Sequence, residues 1–123
     1  MSNDLLSIDV QTIQDGRTHV FGFSGTLDVS TVPTARAALL EAADRDQHEI
    51  IVDLTHVEFL DSTGLGALIG AHKRAAEHGG SVRLVTGDGQ ILRLLRITGL
   101  ITVLAVYPSL EAAVADDARL VGL

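Results

Sequence analysis

Ser62 and Thr63 form a pair of hydroxyl residues where a short apolar segment gives way to a long helical pattern. Such residues are favoured at helix starts because their oxygens accept hydrogen bonds from the unpaired first N–H groups of the helix. A phosphate is also well tolerated there, since the helix end carries partial positive charge and outward-pointing N–H donors. The position therefore predicts that Ser62 is a reversible phosphorylation site.

The same serine is the candidate nucleophile of a small serine hydrolase. A nucleophilic serine needs a histidine base within hydrogen-bond reach and an acid that orients the base. His56 and Asp28 are the residues that could supply them. However, the chain has no G-x-S-x-G turn, and Asp61 beside Ser62 would repel a developing oxyanion. A catalytic triad is therefore the less favoured interpretation.

Other catalytic or cofactor chemistry finds little support in the sequence. The five histidines lack metal-ligand spacing, and the absence of cysteine excludes thiolate metal sites and cysteine catalysis. Gly64, Gly66 and Gly70 follow the hydroxyl pair at a spacing that is wrong for a dinucleotide-binding loop, and no G-x-x-x-x-G-K-[ST] loop occurs. We therefore expect a protein without a cofactor or metal that is not an enzyme.

Gly66 and Gly70 need a reason of their own, because glycine inside a helix costs about 1 kcal/mol relative to alanine. Being four residues apart, they share one helix face. The predicted apolar stripe of this helix lies elsewhere and consists of Leu65, Leu68, Ile69, His72 and Ala76. Close packing against a sheet would explain the glycines structurally. A flat surface that admits the backbone of a partner explains them equally well.

Length and composition predict one globular domain spanning residues 1–123. Hydrophobic residues make up 46% of the chain and charged residues 20%, as is ordinary for a folded domain. A net charge of −7 and an aromatic content of 3% argue against nucleic-acid binding. The start of the chain lacks the features of a secretory signal, and no apolar run approaches the roughly 20 residues that cross a bilayer. We expect a cytoplasmic protein without membrane contact.

Hydrophobic periodicity predicts strands that alternate with helices. The predicted strands are Leu5 to Gln14, His19 to Ser24, Ile50 to Leu54, Val82 to Thr86 and Ile101 to Val106. The predicted helices begin at Ser30 or Thr31, at Ser62, after a capping Asp88, and at Pro108-Ser109.

This alternation predicts an α/β domain with right-handed crossovers and a mostly parallel sheet. The first two strands are expected to form a hairpin, joined by a turn at Asp15-Gly16. Asp53 and Arg83 interrupt strands that are otherwise apolar, whereas a strand buried on both faces is continuously hydrophobic. Helices should therefore lie mainly on one face of the sheet.

The segment Phe59-Leu60-Asp61-Ser62-Thr63-Gly64-Leu65-Gly66 resembles the signature of the STAS domain, specifically of the bacterial anti-sigma factor antagonists. Two further stretches, Gly25-Thr26-Leu27-Asp28 and the run from Ile91 to Leu100, match the same family. The resemblance extends from about Leu5 to about Val114. It implies a mixed, mostly parallel sheet with an N-terminal β-hairpin.

By this resemblance, the unphosphorylated chain binds an anti-sigma factor with serine kinase activity and so releases a sigma factor. The kinase would use its own ATP to phosphorylate Ser62, and a separate phosphatase would reverse the modification. The alternative within the family is a STAS adaptor subunit of a larger stress-sensing or lipid-transport assembly. Thr63 could substitute as phosphoacceptor, and Thr26 stands where relatives commonly carry an acidic residue.

The resemblance also assigns a partner-binding surface. The counterpart of Asp28 in antagonists lies near the phosphorylated serine and contributes to partner recognition. The full set of expected partner-binding residues is Asp28, Asp61, Ser62, Thr63, Gly64, Gly66 and Gly70.

Overall fold

A computed structural model of the chain describes residues 5–13 and 16–121. The strands are β1 (Leu6–Ile13), β2 (Thr18–Leu27), β3 (Glu49–Leu60), β4 (Ser81–Val85) and β5 (Ala105–Tyr107). The α-helices are α1 (Val32–Ala43), α2 (Ser62–Glu77), α3 (Gln90–Ile97) and α4 (Leu110–Ala115), and a 3₁₀ turn covers Leu100–Thr102. Gln14, predicted to end the first strand, and Asp15 of the predicted turn lie outside the described residues.

The five strands form one sheet in the order β1-β2-β3-β4-β5. β1 pairs with β2 in antiparallel fashion, and the remaining neighbours are parallel. At the far end of the β1–β2 pair, Gly25 has a φ of +107°, and an added Cβ would lie 2.1 Å from the carbonyl oxygen of Leu5. The strand pairings thus confirm the predicted mixed, mostly parallel sheet with an N-terminal hairpin.

The sheet separates a large core from a small one. Ile50 and Val52 of β3 belong to the large core, and Ile51 between them belongs to the small one, as the alternation of a strand requires. The large core packs against α1, α2 and α3, which contribute the fully buried Leu39, Leu68 and Leu95. Among the helices of the described residues, α4 alone covers the small core, whose members are Val20, Ile51, Val85, Tyr107 and Ala113. Helices lying mainly on one face are thus confirmed.

The two charged residues that interrupt the strands have local partners. Asp53 accepts hydrogen bonds from the backbone N–H of Thr55 at 3.0 Å and from its hydroxyl at 2.5 Å. Arg83 donates to the carbonyl oxygen of Ala113 in α4 at 2.8 Å and lies 3.6 Å from a carboxylate oxygen of Glu49. Both charged side chains therefore have hydrogen-bond or ion-pair partners on the sparsely covered side of the sheet.

β3 continues to Leu60, so the prediction that it ends at Leu54 was wrong. Its pairing with β2 shifts register twice, between Gly22 and Ser24 and again between Gly25 and Thr26 of β2. Extra residues in β3 break the period of two that identifies a strand in sequence. The buried positions along this half of β3 are Leu54, Val57 and Leu60, three residues apart.

Three smaller predictions were also wrong. The last strand begins at Ala105 rather than Ile101, because Ile101 and Leu104 are buried at the spacing of a helical turn. Gly89 rather than Asp88 is the N-cap of α3. Ala76 is exposed, since α2 turns Ala71 and Ala75 toward the core instead.

His19 and His48 form a stacked pair beside α1. Their ring centroids lie 4.9 Å apart, and Nε2 of His19 is 2.6 Å from Nδ1 of His48, so one ring donates a proton that the other accepts. The hydroxyl oxygen of Thr12 lies 3.2 Å from the other nitrogen of His19. Burial, followed by the charges of His48 and Arg45, lowers the pKa of His19. Protonating both rings would set two donors against each other.

The histidine pair predicts acid sensitivity of the fold. Because the folded-state pKa of His19 lies below its ordinary value of 6.5, the unfolded chain binds the proton more readily. Protonation of His19 therefore leaves the free energy of unfolding unchanged above about pH 6.5 and lowers it as the pH falls below that value. His19→Gln should flatten the decline in urea midpoint between about pH 7.5 and about pH 5.5. His56→Gln, at an exposed position, is the matched control, and an unchanged decline in His19→Gln would contradict the assignment.

Candidate functional site

The candidate site lies where β2 and β3 end side by side. Leu27 pairs with Leu60, and the N–H of Asp61 donates to the carbonyl oxygen of Leu27 at 3.3 Å. Asp28 and Asp61 therefore leave the ends of two neighbouring parallel strands together. The hydrogen bond from the Ser30 hydroxyl holds the pKa of Asp28 below its ordinary value, and the charge of Asp61 opposes this shift. The structure thus places Asp28 beside the segment that leads to Ser62, as the resemblance implied.

Asp61, rather than the hydroxyl pair, caps helix α2. Its Oδ1 accepts a hydrogen bond from the Thr63 hydroxyl at 2.5 Å and one from the N–H of Gly64 at 3.0 Å. Those two bonds, in that order, lower the pKa of Asp61, so its carboxylate is ionised at the positive end of the helix. The expectation that the hydroxyl pair caps the helix was wrong, because the carboxylate one residue earlier reaches the orphan N–H.

The two hydroxyl groups of the pair have different environments. Ser62 is the first residue of α2 and is exposed, and no hydrogen bond of its side chain occurs among residues 5–13 and 16–121. The hydroxyl of Thr63 donates to Asp61 instead. A kinase that modified Thr63 would have to break this bond, whereas the Ser62 hydroxyl is accessible without any rearrangement.

Asp28 has a structural role in the turn that leads into α1. Its Oδ1 accepts from the Ser30 hydroxyl at 2.8 Å, from the Ser30 N–H at 3.0 Å and from the Thr31 N–H at 3.3 Å. The bond from the Ser30 hydroxyl is the main cause of the lowered pKa of Asp28. The fully buried hydroxyl of Thr31 donates in turn to the carbonyl oxygen of Thr26 at 2.9 Å. Asp28 is therefore an ionised carboxylate held in a fixed turn at the end of β2, beside Asp61.

The glycines after Ser62 divide into two kinds. A Cβ on Gly64 would lie 2.6 Å from Cδ1 of Leu60 and 2.7 Å from the carbonyl oxygen of Leu27, so Gly64 is required where α2 crosses the strand ends. Gly66 and Gly70 are exposed, and a Cβ added at either would have no heavy atom within 4 Å other than those of its chain neighbours and of the backbone of α2 itself. The sheet-packing explanation thus holds for Gly64 and fails for the other two.

Ser62, Gly66 and Gly70 are spaced by four residues and all exposed, so they form one line along α2. We call this line the glycine stripe. Beyond Ser62 it offers bare backbone over two helical turns, which allows close approach of another chain. Gly64, although expected among the partner-binding residues, is buried against Leu27 and Leu60 and lies off this line.

A serine hydrolase would need a base at Ser62, and His56 does not reach it. His56 pairs with Ser24 within β3, five residues before Asp61. At a strand rise of about 3.3 Å per residue, it lies roughly 17 Å from Asp61 along the strand. In the part of the chain that the structure describes, no three His, Cys, Asp or Glu residues form a metal-binding group. None of the helices described is long and apolar enough to cross a membrane.

The family is decided by a comparison along the sequence. The family model of the STAS domain matches residues 9–113. The chain belongs to the STAS domain family. The resemblance carried by the segments around Asp28 and Ser62 is thereby confirmed.

Similar proteins include two anti-sigma factor antagonists of known sequence. The chain is 29% identical over 109 residues to the anti-sigma-B factor antagonist of Bacillus subtilis, covering 89% of this chain and 99% of that protein. It is 34% identical over 85 residues to the anti-sigma F factor antagonist of Paenibacillus polymyxa, covering 68% and 73%. A crystal structure of an anti-sigma factor antagonist from Mycobacterium paratuberculosis superposes with a TM-score of 0.80 at 27% identity, covering 94% of this chain and 96% of that one.

Sequence reasoning missed the buried hydroxyl of Thr31 and the capping role of Asp61. For Asp61 a signal was present, because an aspartate placed three residues before an N–H it can accept from is the usual N-cap spacing. For Thr31 no local pattern distinguished it from the neighbouring Ser30, since its burial depends on the end of β2 passing beneath it.

The two kinds of glycine predict opposite effects of adding one methyl group. Gly64→Ala should destabilise the chain by about 1–3 kcal/mol, because the added Cβ meets the carbonyl oxygen of Leu27, which cannot rotate away. Gly66→Ala, its matched control two residues on, should stabilise the chain by about 0.5–1 kcal/mol, since its Cβ meets nothing. Chemical denaturation of both variants measures the difference. Equal effects of the two substitutions would contradict this placement of α2.

Proposed function

We propose that this chain is an anti-sigma factor antagonist that binds an anti-sigma factor while Ser62 is unphosphorylated and thereby releases a sigma factor. The similar proteins that cover most of the chain carry that name. The observation that carries the proposal is the exposed Ser62 hydroxyl at the start of α2, which is free of hydrogen bonds within the described residues and directly follows Asp61, the neighbour of Asp28 at the strand ends.

Phosphorylation of Ser62 would act through charge. A phosphate adds roughly −1.5 to −2 charges at neutral pH. The Asp61 carboxylate already accepts the N–H of Gly64, and the Asp28 carboxylate lies near that of Asp61. The phosphate would therefore add to a cluster of negative charges. The helix end can still accept the group, and the fold should survive. A partner surface matched to the unmodified site would lose affinity through repulsion and steric displacement.

In this proposal the chain itself carries no catalytic group. The anti-sigma factor would be a serine kinase that supplies its own ATP, and a separate phosphatase would restore the Ser62 hydroxyl. The distance from His56 to the start of α2 supports a binding role over hydrolysis. Sigma factors act in the cytoplasm, which is where we place the protein.

The partner surface would extend from the acidic pair along α2. We assign to it Asp28, Asp61, Ser62 and Thr63, together with the exposed Gly66 and Gly70 of the glycine stripe. Gly64 would contribute by holding the helix start against Leu27 and not by direct contact.

Substitution of Ser62 tests the switch. Ser62→Ala should bind the anti-sigma kinase persistently and resist phosphorylation, while Ser62→Asp should bind more weakly by about 1–3 kcal/mol. Mass spectrometry after incubation with the kinase and ATP locates the phosphate, and calorimetry measures affinity. Thr63→Val is the control variant and should still be phosphorylated on Ser62. Phosphate on Thr63, or equal affinities of Ser62→Asp, the phosphorylated protein and the unmodified protein, would refute the switch.

Substitution of Gly70 tests the glycine stripe. Gly70→Arg should lower affinity for the kinase by at least about 1 kcal/mol, because its side chain would stand between two surfaces in contact. The fold should be retained, since a side chain at this position enters open space. Ala76→Arg, at an exposed small residue on another face of the same helix, is the matched control. Undiminished binding by correctly folded Gly70→Arg would exclude this stripe from the interface.

A further inference from the structure

Val29 and Phe59 are large apolar side chains that stand in solvent beside the acidic pair. Val29 is 70% exposed and Phe59 is 53% exposed. Val29 follows Asp28 directly, at the end of β2 that lies beside Asp61. Phe59 precedes Asp61 by two residues in extended backbone, so the side chains of Phe59 and Asp61 leave the chain on the same side.

The fold explains why Phe59 is not buried. Leu60, its neighbour, points into the large core, so Phe59 points to the opposite face of the sheet. There α4 covers only the small core around Val20 and Ile51. Beside Phe59 the same face is polar, with Thr26 as its cross-strand partner and the exposed Ser24 beyond.

Scattered single apolar residues are common on protein surfaces. Here two of them flank the same pair of carboxylates, one from the strand that ends in Asp61 and one from the turn after Asp28. An apolar contact surrounded by charge is the usual composition of a binding centre, in which aromatic residues provide most of the affinity and charges provide orientation.

We propose that Val29 and Phe59 are the apolar anchors by which this chain holds its protein partner, an inference that rests on the proposed function. The complementary surface would be an apolar pocket bordered by lysine or arginine, because Asp28 and Asp61 present negative charge between the two anchors. The partner contact then has two separable parts, an apolar part that is indifferent to salt and an electrostatic part that the Ser62 phosphate changes.

The experiment compares affinities of the unphosphorylated chain for the purified anti-sigma factors of its source organism. Phe59→Ser should weaken binding about tenfold or more, and Val29→Ser should weaken it measurably, with similar ratios at low and high salt. Asp28→Asn should instead show a loss that shrinks as salt is added. Ile97→Ser, at a 75% exposed apolar residue on α3, is the matched control and should bind like the unmodified chain. Thermal unfolding verifies that each variant is folded.

The outcomes separate the two proposals. If the unmodified chain binds none of the anti-sigma factors, the proposed function fails and the anchors fail with it. If the unmodified chain binds and folded Phe59→Ser and Val29→Ser bind equally well, the anchors are refuted while the function stands. If sedimentation shows that the free chain forms a dimer that Phe59→Ser abolishes, with partner affinity unchanged, the two side chains serve a second copy and the proposal is overturned.

Discussion

The carboxylate of Asp61 joins the sheet to the helix on which the candidate site is built. The backbone N–H of Asp61 donates to the carbonyl oxygen of Leu27 at the end of β2, and its carboxylate accepts from the N–H of Gly64 in the first turn of α2. The close approach of Gly64 to Leu27 requires that α2 begin at this point and at this angle. The position of Ser62 follows from these contacts, since Ser62 and Thr63 lie between the cap and the buried Gly64.

The same groups therefore serve stability and recognition. Asp28 holds the turn before α1, and Asp61 caps α2, yet both remain ionised at the surface beside Ser62. Removing either carboxylate alters charge and local structure together. Isosteric amides separate the two effects better than alanine does, because an amide oxygen still accepts the hydrogen bonds of the turn or cap.

Much of the fold was readable from sequence because the signals are local. The predicted transition from β3 to α2 is present in the structure, with the hydroxyl pair at the helix start. The N-cap is one residue earlier than the pair, at Asp61. The β1–β2 hairpin and the mostly parallel sheet likewise follow from short-range pattern and from the resemblance. The exposure of Val29 and Phe59 could not be read in this way. Phe59 lies beyond the strand predicted to end at Leu54, and only the register against β2 and the limited reach of α4 decide which side it faces.

Because the β2–β3 pairing shifts register twice, the number of residues in β3 constrains the site separately from the identity of those residues. Between Asp53 and Asp61 the chain carries more residues than its neighbour β2 needs, and the surplus sets which side chains point inward at Val57 and Leu60. A substitution in this stretch changes one side chain, whereas a deletion would reverse the facing of every residue up to the helix cap. The number of residues before Ser62 is thus part of the site, even where their identities are not.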